Sequence, residues 1–120
     1  IFTGNTLSTT IQQAKLNVRK QESEYLTQLQ DLSVQLELIL DQLYYYKEVI
    51  PINEKVLASA EEDVKLVQER YSLGSASILE VLDAQVSLVS ARSSLIRSKY
   101  DSMIEQASLK AILGTLDTDL

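Results

Sequence analysis

With 120 residues, 45% hydrophobic content, three glycines and one proline, the chain has the composition of one helical unit and no compositional shift that would mark a linker. Its 17 acidic and 11 basic side chains form no basic patch, which excludes a phosphate-binding surface and with it nucleic acid as a partner. No Cys or His is present, nor a phosphate loop, a dinucleotide turn or a nucleophile elbow, so neither an enzyme nor a bound cofactor or metal is expected.

The chain opens at Ile1 with no initiator Met, no signal-peptide core and no apolar run near the ~20 residues of a membrane span, and reads as a piece of a larger protein. A long first helix is predicted over about residues 5–72. Stepping by heptads from Ile11 gives Val18, Tyr25, Leu32, Ile39, Tyr46, Asn53, Ala60 and Val67, apolar at every step except Asn53. A repeat of this period implies a left-handed supercoil. Companion positions begin at Ala14 and, after a register adjustment, run through Leu29, Leu36, Leu43, Ile50, Leu57, Val64 and Tyr71. From Leu7 to Ser72 such a helix would measure roughly 100 Å. Pro51 interrupts the hydrogen bonding, but Ile50 cannot cap a new helix and Tyr46 and Ala60 stay in phase across it, so a kinked continuous helix is expected.

The helix must stop at Gly74, where only glycine reaches a left-handed conformation without a Cβ clash. After a tip turn over 73–77, Ser77 and Glu80 form an S-x-x-E capping box that starts a second helix, predicted over about 78–113. That helix carries two apolar stripes: Leu79, Leu82, Val86, Val89, Ile96, Tyr100, Met103 and Ala107, and beside it Val81, Ala84, Leu88, Ala91 and Leu95. Two stripes imply contacts with more than one helix, and Ser87, Ser90, Ser93, Ser94 and Ser98 between them permit close approach of backbones. Gly114 is expected to end the helix, leaving a polar tail over 114–120. The fold class is therefore all-α, a long antiparallel coiled-coil hairpin. Folding back at Gly74 brings Leu113 level with roughly Leu36, which leaves Leu7 to about Leu32 with no partner in this chain.

Ile1-Phe2-Thr3-Gly4, the long helix, RYSLGSASILEVLDAQ at 70–85, the small-residue helix with Ala91, and Ala111-Ile112-Leu113-Gly114-Thr115-Leu116 together resemble the C-terminal half of a TolC-type outer-membrane efflux protein. The resemblance covers essentially the whole chain, and R-Y-x-x-G-x-x-S-x-x-E-V-L-D-A-Q is its most specific part. It implies a homotrimeric channel in the Gram-negative envelope, in which an outer-membrane β-barrel, absent from this chain, continues into a periplasmic α-barrel. This chain would be one hairpin of that α-barrel. Ile1-Phe2 would end the last barrel strand, with Gly4 ahead of the helix, and the unpaired heptads would meet helices absent here.

The resemblance also implies that the turn is the periplasmic tip, where the tunnel narrows and meets a periplasmic adaptor fed by an inner-membrane pump. Tyr71 matches a tyrosine that contacts a neighbouring hairpin in the closed state; equally, it reads as the last core knob of the seam. Glu80 and Asp83 match acids that line the constriction and favour cations; Glu80 also has its duty in the capping box, whereas Asp83 has none. Ala76 stands where some similar proteins carry a basic locking residue, a departure that leaves closure to Tyr71, hydroxyls or acids. Leu73, Gly74, Ser75 and Ala76 would dock the adaptor. The action implied is mechanical: adaptor contact favours a splayed tip, with Pro51 and Asn53 as a bending point or as static curvature. The residues specify no exported substrate. A different class, a non-transport coiled-coil interaction or scaffold module such as an adaptor hairpin, would satisfy Leu7 to Leu32 by self-association.

Overall fold

The computed structural model describes the backbone of residues 3–118 and the side chains of residues 3–114. Two α-helices make up its regular structure: α1, Thr3–Ser72, and α2, Ile78–Thr118. The protein is all-α, as the heptads require. α1 runs unbroken through Pro51, whose ring forfeits the hydrogen bond to the Lys47 carbonyl. Tyr46, Asn53 and Ala60 are all half-buried, so packing holds the helix in phase on both sides of the proline.

Two compact units divide the chain, Ile1–Leu38 and Ile39–Leu120. In the first, every side chain from Thr3 to Asp31 is exposed, including the seam residues Ile11, Val18 and Tyr25. Heptad periodicity without burial means that this stretch has the pattern of a packed helix and no partner within its unit. Among its described residues an ion pair, Lys20 with Glu24 at 3.9 Å, joins successive turns on the surface. Thr3 and Gly4 already lie inside α1, earlier than the sequence pattern predicts. Gly4 does not take a positive φ, so nothing holds it out of the helix, and the Thr10 hydroxyl donates back to the Thr6 carbonyl at 2.8 Å in the same segment. Ile1 and Phe2, the expected strand end, lie outside the described residues.

In the second unit α2 returns antiparallel to α1. The α1 seam is the predicted one: Ile39, Leu43, Tyr46, Ile50, Asn53, Leu57 and Ala60 are half-buried, and Val64 and Val67 are buried. On α2 the inward stripe is Val81, Ala84, Leu88, Ala91 and Leu95, and it continues through Ser98 and Ser102, which are 6% and 9% exposed. Val64, Val67, Val81 and Ala84 form the apolar cluster nearest the turn, with Ala76 and Leu88 packed on it. Each valine buried there is worth about 1.5–3 kcal/mol.

The larger stripe, with Leu79, Leu82, Val86 and Val89, stays exposed. Small side chains favour this face: Ala84, Ala91 and Ser98 let the backbones approach, with Leu88 and Leu95 packed between them. Farther from the turn the α2 side of the seam turns polar at Ser98 and Ser102, opposite Asn53 and the apolar α1 residues beyond it. Asn53 donates to the Ser98 hydroxyl at 3.2 Å, and that hydroxyl donates to the Leu95 carbonyl at 2.9 Å. Lys99 with Glu54 at 2.8 Å and Arg92 with Glu61 at 3.4 Å flank the seam. Both pairs are half-exposed, which limits each to about 0–1 kcal/mol, so they fix register more than they stabilise.

α2 extends beyond Leu113 to Thr118, past the glycine expected to end it. Gly114 has no positive φ, and a glycine in ordinary helical geometry costs about 1 kcal/mol against alanine without breaking the helix. Among the described residues, no helix is long and apolar enough to cross a membrane.

Candidate functional site

The turn between the helices is closed by a dense set of backbone and side-chain hydrogen bonds. Gly74 has φ +71, and a Cβ built there would meet nothing within 4 Å, so the backbone conformation alone demands glycine. Its N–H donates to the Tyr71 carbonyl at 3.0 Å, and the Ser75 N–H donates to the Arg70 carbonyl at 2.8 Å. This pair of bonds, short inside long, is the Schellman closure of a helix C-terminus. The Ser75 hydroxyl adds a third, to the same Arg70 carbonyl at 3.0 Å.

α2 begins two residues later with the predicted capping box. The Ser77 N–H donates to Glu80 Oε2 at 2.6 Å, and the Glu80 N–H donates to Ser77 Oγ at 3.3 Å. Each side chain thereby satisfies a backbone donor left open at the helix start. The Ser77 hydroxyl also donates to Glu80 Oε2, at 3.1 Å. Hydrogen bonds to the ionised form hold the Glu80 carboxyl below the usual carboxylate range, the Ser77 backbone N–H first and the Ser77 hydroxyl second; partial desolvation opposes them, and the Arg70 charge adds a smaller lowering.

Arg70 is the residue that sequence reasoning missed. Its Nη2 donates to the Ser75 carbonyl at 3.1 Å and lies 3.7 Å from Glu80 Oε1, so one guanidinium touches both the turn and the first turn of α2. A cation in the last turn of α1 was a visible signal, since it complements the helix dipole, but the partner across the turn was not.

The other candidate residues divide clearly. Tyr71 is 48% exposed and the last buried knob of the α1 seam is Val67, so the tyrosine ring stands on the surface beside the turn rather than in the core. Leu73 is 81% exposed, and Ser75 is exposed beside it. Ala76 is half-buried on the valine cluster and anchors the turn to the core. Asp83 is exposed one turn beyond Glu80 and has no hydrogen-bond or ion-pair partner among the described residues. Nor do those residues contain a group of acids that would hold a metal ion. The arrangement is a rigid, surface-presented tip with an apolar point, an aromatic flank, one committed carboxylate and one uncommitted carboxylate.

Over residues 1–115 the chain matches the family model described as outer membrane efflux protein. It is 33% identical over 64 residues to the outer membrane protein TolC of Escherichia coli (strain K12), and to the same degree to the protein of that name from Salmonella enteritidis. Each alignment covers 53% of this chain and 13% of the relative, so the matched stretch is a small part of those proteins. No solved structure matches the chain at a significant level.

Proposed function

The chain belongs to the outer membrane efflux protein family, and from that premise we propose that it is a wall hairpin of a trimeric periplasmic α-barrel whose turn forms the gated entrance. The observation that carries this reading is the tip itself. Its backbone is locked by the Gly74 closure and the Ser77–Glu80 box, yet it holds Leu73 out at 81% exposure. An apolar side chain on a rigid, water-facing turn is suited to meeting a partner surface with little ordering cost.

In this reading the exposed Leu79, Leu82, Val86 and Val89 and the uncovered heptads from Leu7 to Leu29 are the faces of a wall element, covered by the rest of its protomer and by neighbouring subunits. Tyr71 closes the entrance by contact with the next hairpin. Asp83 lines the constriction, where symmetry-related carboxylates favour cations. Glu80 stands beside it, tied into the turn. Leu73, Gly74, Ser75 and Ala76 meet a periplasmic adaptor that couples the channel to an inner-membrane pump, and this contact favours a splayed tip. The tip moves as one body because its bonds lie within the turn and its valine cluster is continuous with it.

Leu73→Asp in the full-length protein tests this. The expected result is loss of export with trimer assembly and outer-membrane insertion intact; undiminished export would refute the docking role.

A further inference from the structure

We propose that Arg70 is a positioning residue that sets the charge presented by the tip: it clasps Glu80 against the turn and so leaves Asp83 as the carboxylate available to passing cations. This rests on the reading of the tip as the channel entrance and deepens it by naming how its cation preference is tuned.

Arg70 is held at both its backbone and its side chain. The Arg70 backbone carbonyl receives both the Ser75 N–H, at 2.8 Å, and the Ser75 hydroxyl, at 3.0 Å. Its Nη2 then reaches back to the Ser75 carbonyl at 3.1 Å, which places the charge 3.7 Å from Glu80 Oε1. The other carboxylate oxygen, Oε2, is occupied by the Ser77 N–H and hydroxyl at 2.6 and 3.1 Å. Each oxygen of Glu80 therefore faces a donor or a cation of its own chain. Beyond the ~8 Å reach of an exposed charge in physiological salt, an arginine and a carboxylate this close act as a dipole rather than as an anion.

Asp83 differs in every one of these respects. It lies one turn further along α2, past the cap, and no cation of the described residues pairs with it. Lys65, the nearest other base in sequence on the tip half of α1, makes no ion pair with either acid. The pair itself is half-exposed, with both side chains 47% accessible, so its loss moves hairpin stability little while leaving Glu80 Oε1 with no cation of its own chain beside it.

The test is a double-mutant cycle on the full-length channel in planar bilayers, reading block of single-channel current by a divalent cation added at the tip side. Arg70→Gln is expected to strengthen the block several-fold when Glu80 is present and to have little effect in a Glu80→Gln background, because the carboxylate charge that Arg70 offsets is then missing. An equal effect of Arg70→Gln in both backgrounds would mean that Arg70 acts only through its own charge, and no effect in either would mean that it does not act; both overturn the proposal. Asp83→Asn separates this from the underlying reading. If it weakens block while Arg70→Gln does nothing, the clasp alone fails; if neither substitution alters block, the tip is not the entrance. Unchanged thermal unfolding of Arg70→Gln keeps misfolding out of the comparison.

Discussion

Asn53 and Ser98, 45 residues apart in the chain, meet side chain to side chain at 3.2 Å where the α2 side of the hairpin seam changes from apolar to polar. The same level holds Pro51, two positions earlier on α1, and Tyr46, whose hydroxyl is pushed above its ordinary value by burial first and then by Asp101 and Glu105. A seam built this way is tight near the turn and weaker above it. Asn53→Ala should lower stability by about 0.5–1.5 kcal/mol, the net worth of one part-buried hydrogen bond, read as a lower urea midpoint with unchanged slope. An unchanged midpoint would show that the contact contributes nothing to the folded state.

Pro51→Ala addresses the same level from the backbone side. It restores a donor to the Lys47 carbonyl at an exposed site, and should stabilise α1 by up to ~3 kcal/mol. If the arms part here during opening, the stiffer helix also lowers export. Stabilised channels that transport at the original rate would make the proline static curvature only.

The capping box gives a prediction in pH. Ser77→Ala should cost about 1 kcal/mol in thermal or urea unfolding. Glu80 is the linked group: its folded pKa is depressed, so its contribution is complete above the unfolded carboxylate value and disappears as pH falls through the folded one. The stability gap between the parent protein and Glu80→Gln should therefore narrow on acidification from neutral pH. A gap that stays constant to strongly acidic pH would contradict the hydrogen-bonded carboxylate.

Local chemistry made the tip legible from residues alone. Gly74, Ser77 and Glu80 act on neighbours within a few positions, and the turn and box follow from side-chain types without tertiary information. The α1 seam was equally readable, because a heptad pattern sets which face is buried from Ile39 to Val67. What the pattern could not decide was the inward face of α2. Leu79, Leu82 and Val86 are exposed while Val81, Ala84, Ala91 and Leu95 are buried, since the face with alanines at intervals lets the backbones approach. Gly114 misled for a related reason: composition marks a glycine, but only a left-handed φ makes it a stop. Arg70 and Glu80 stand apart in sequence and meet only because the chain reverses between them.

Gly74→Ala isolates the backbone requirement. With φ at +71 and nothing within 4 Å of the added Cβ, no contact is lost or clashed, and the whole cost is conformational, about 1–2 kcal/mol. Gly74→Asn should cost less, since asparagine tolerates this region better. Equal losses for the two, seen in thermal unfolding, would point to a steric cause that the turn does not contain.

The most direct measurement places a single cysteine at Asp83 in a cysteine-free, full-length channel and records divalent-cation block in a bilayer before and after thiol modification from the tip side. The substitution should weaken the block, an anionic methanethiosulfonate should restore it, and a cationic one should leave it lost or weaken it further. Block that is the same for the parent channel, the cysteine variant and both modified forms would place Asp83 away from the conduction path and contradict the assignment of this turn as the entrance.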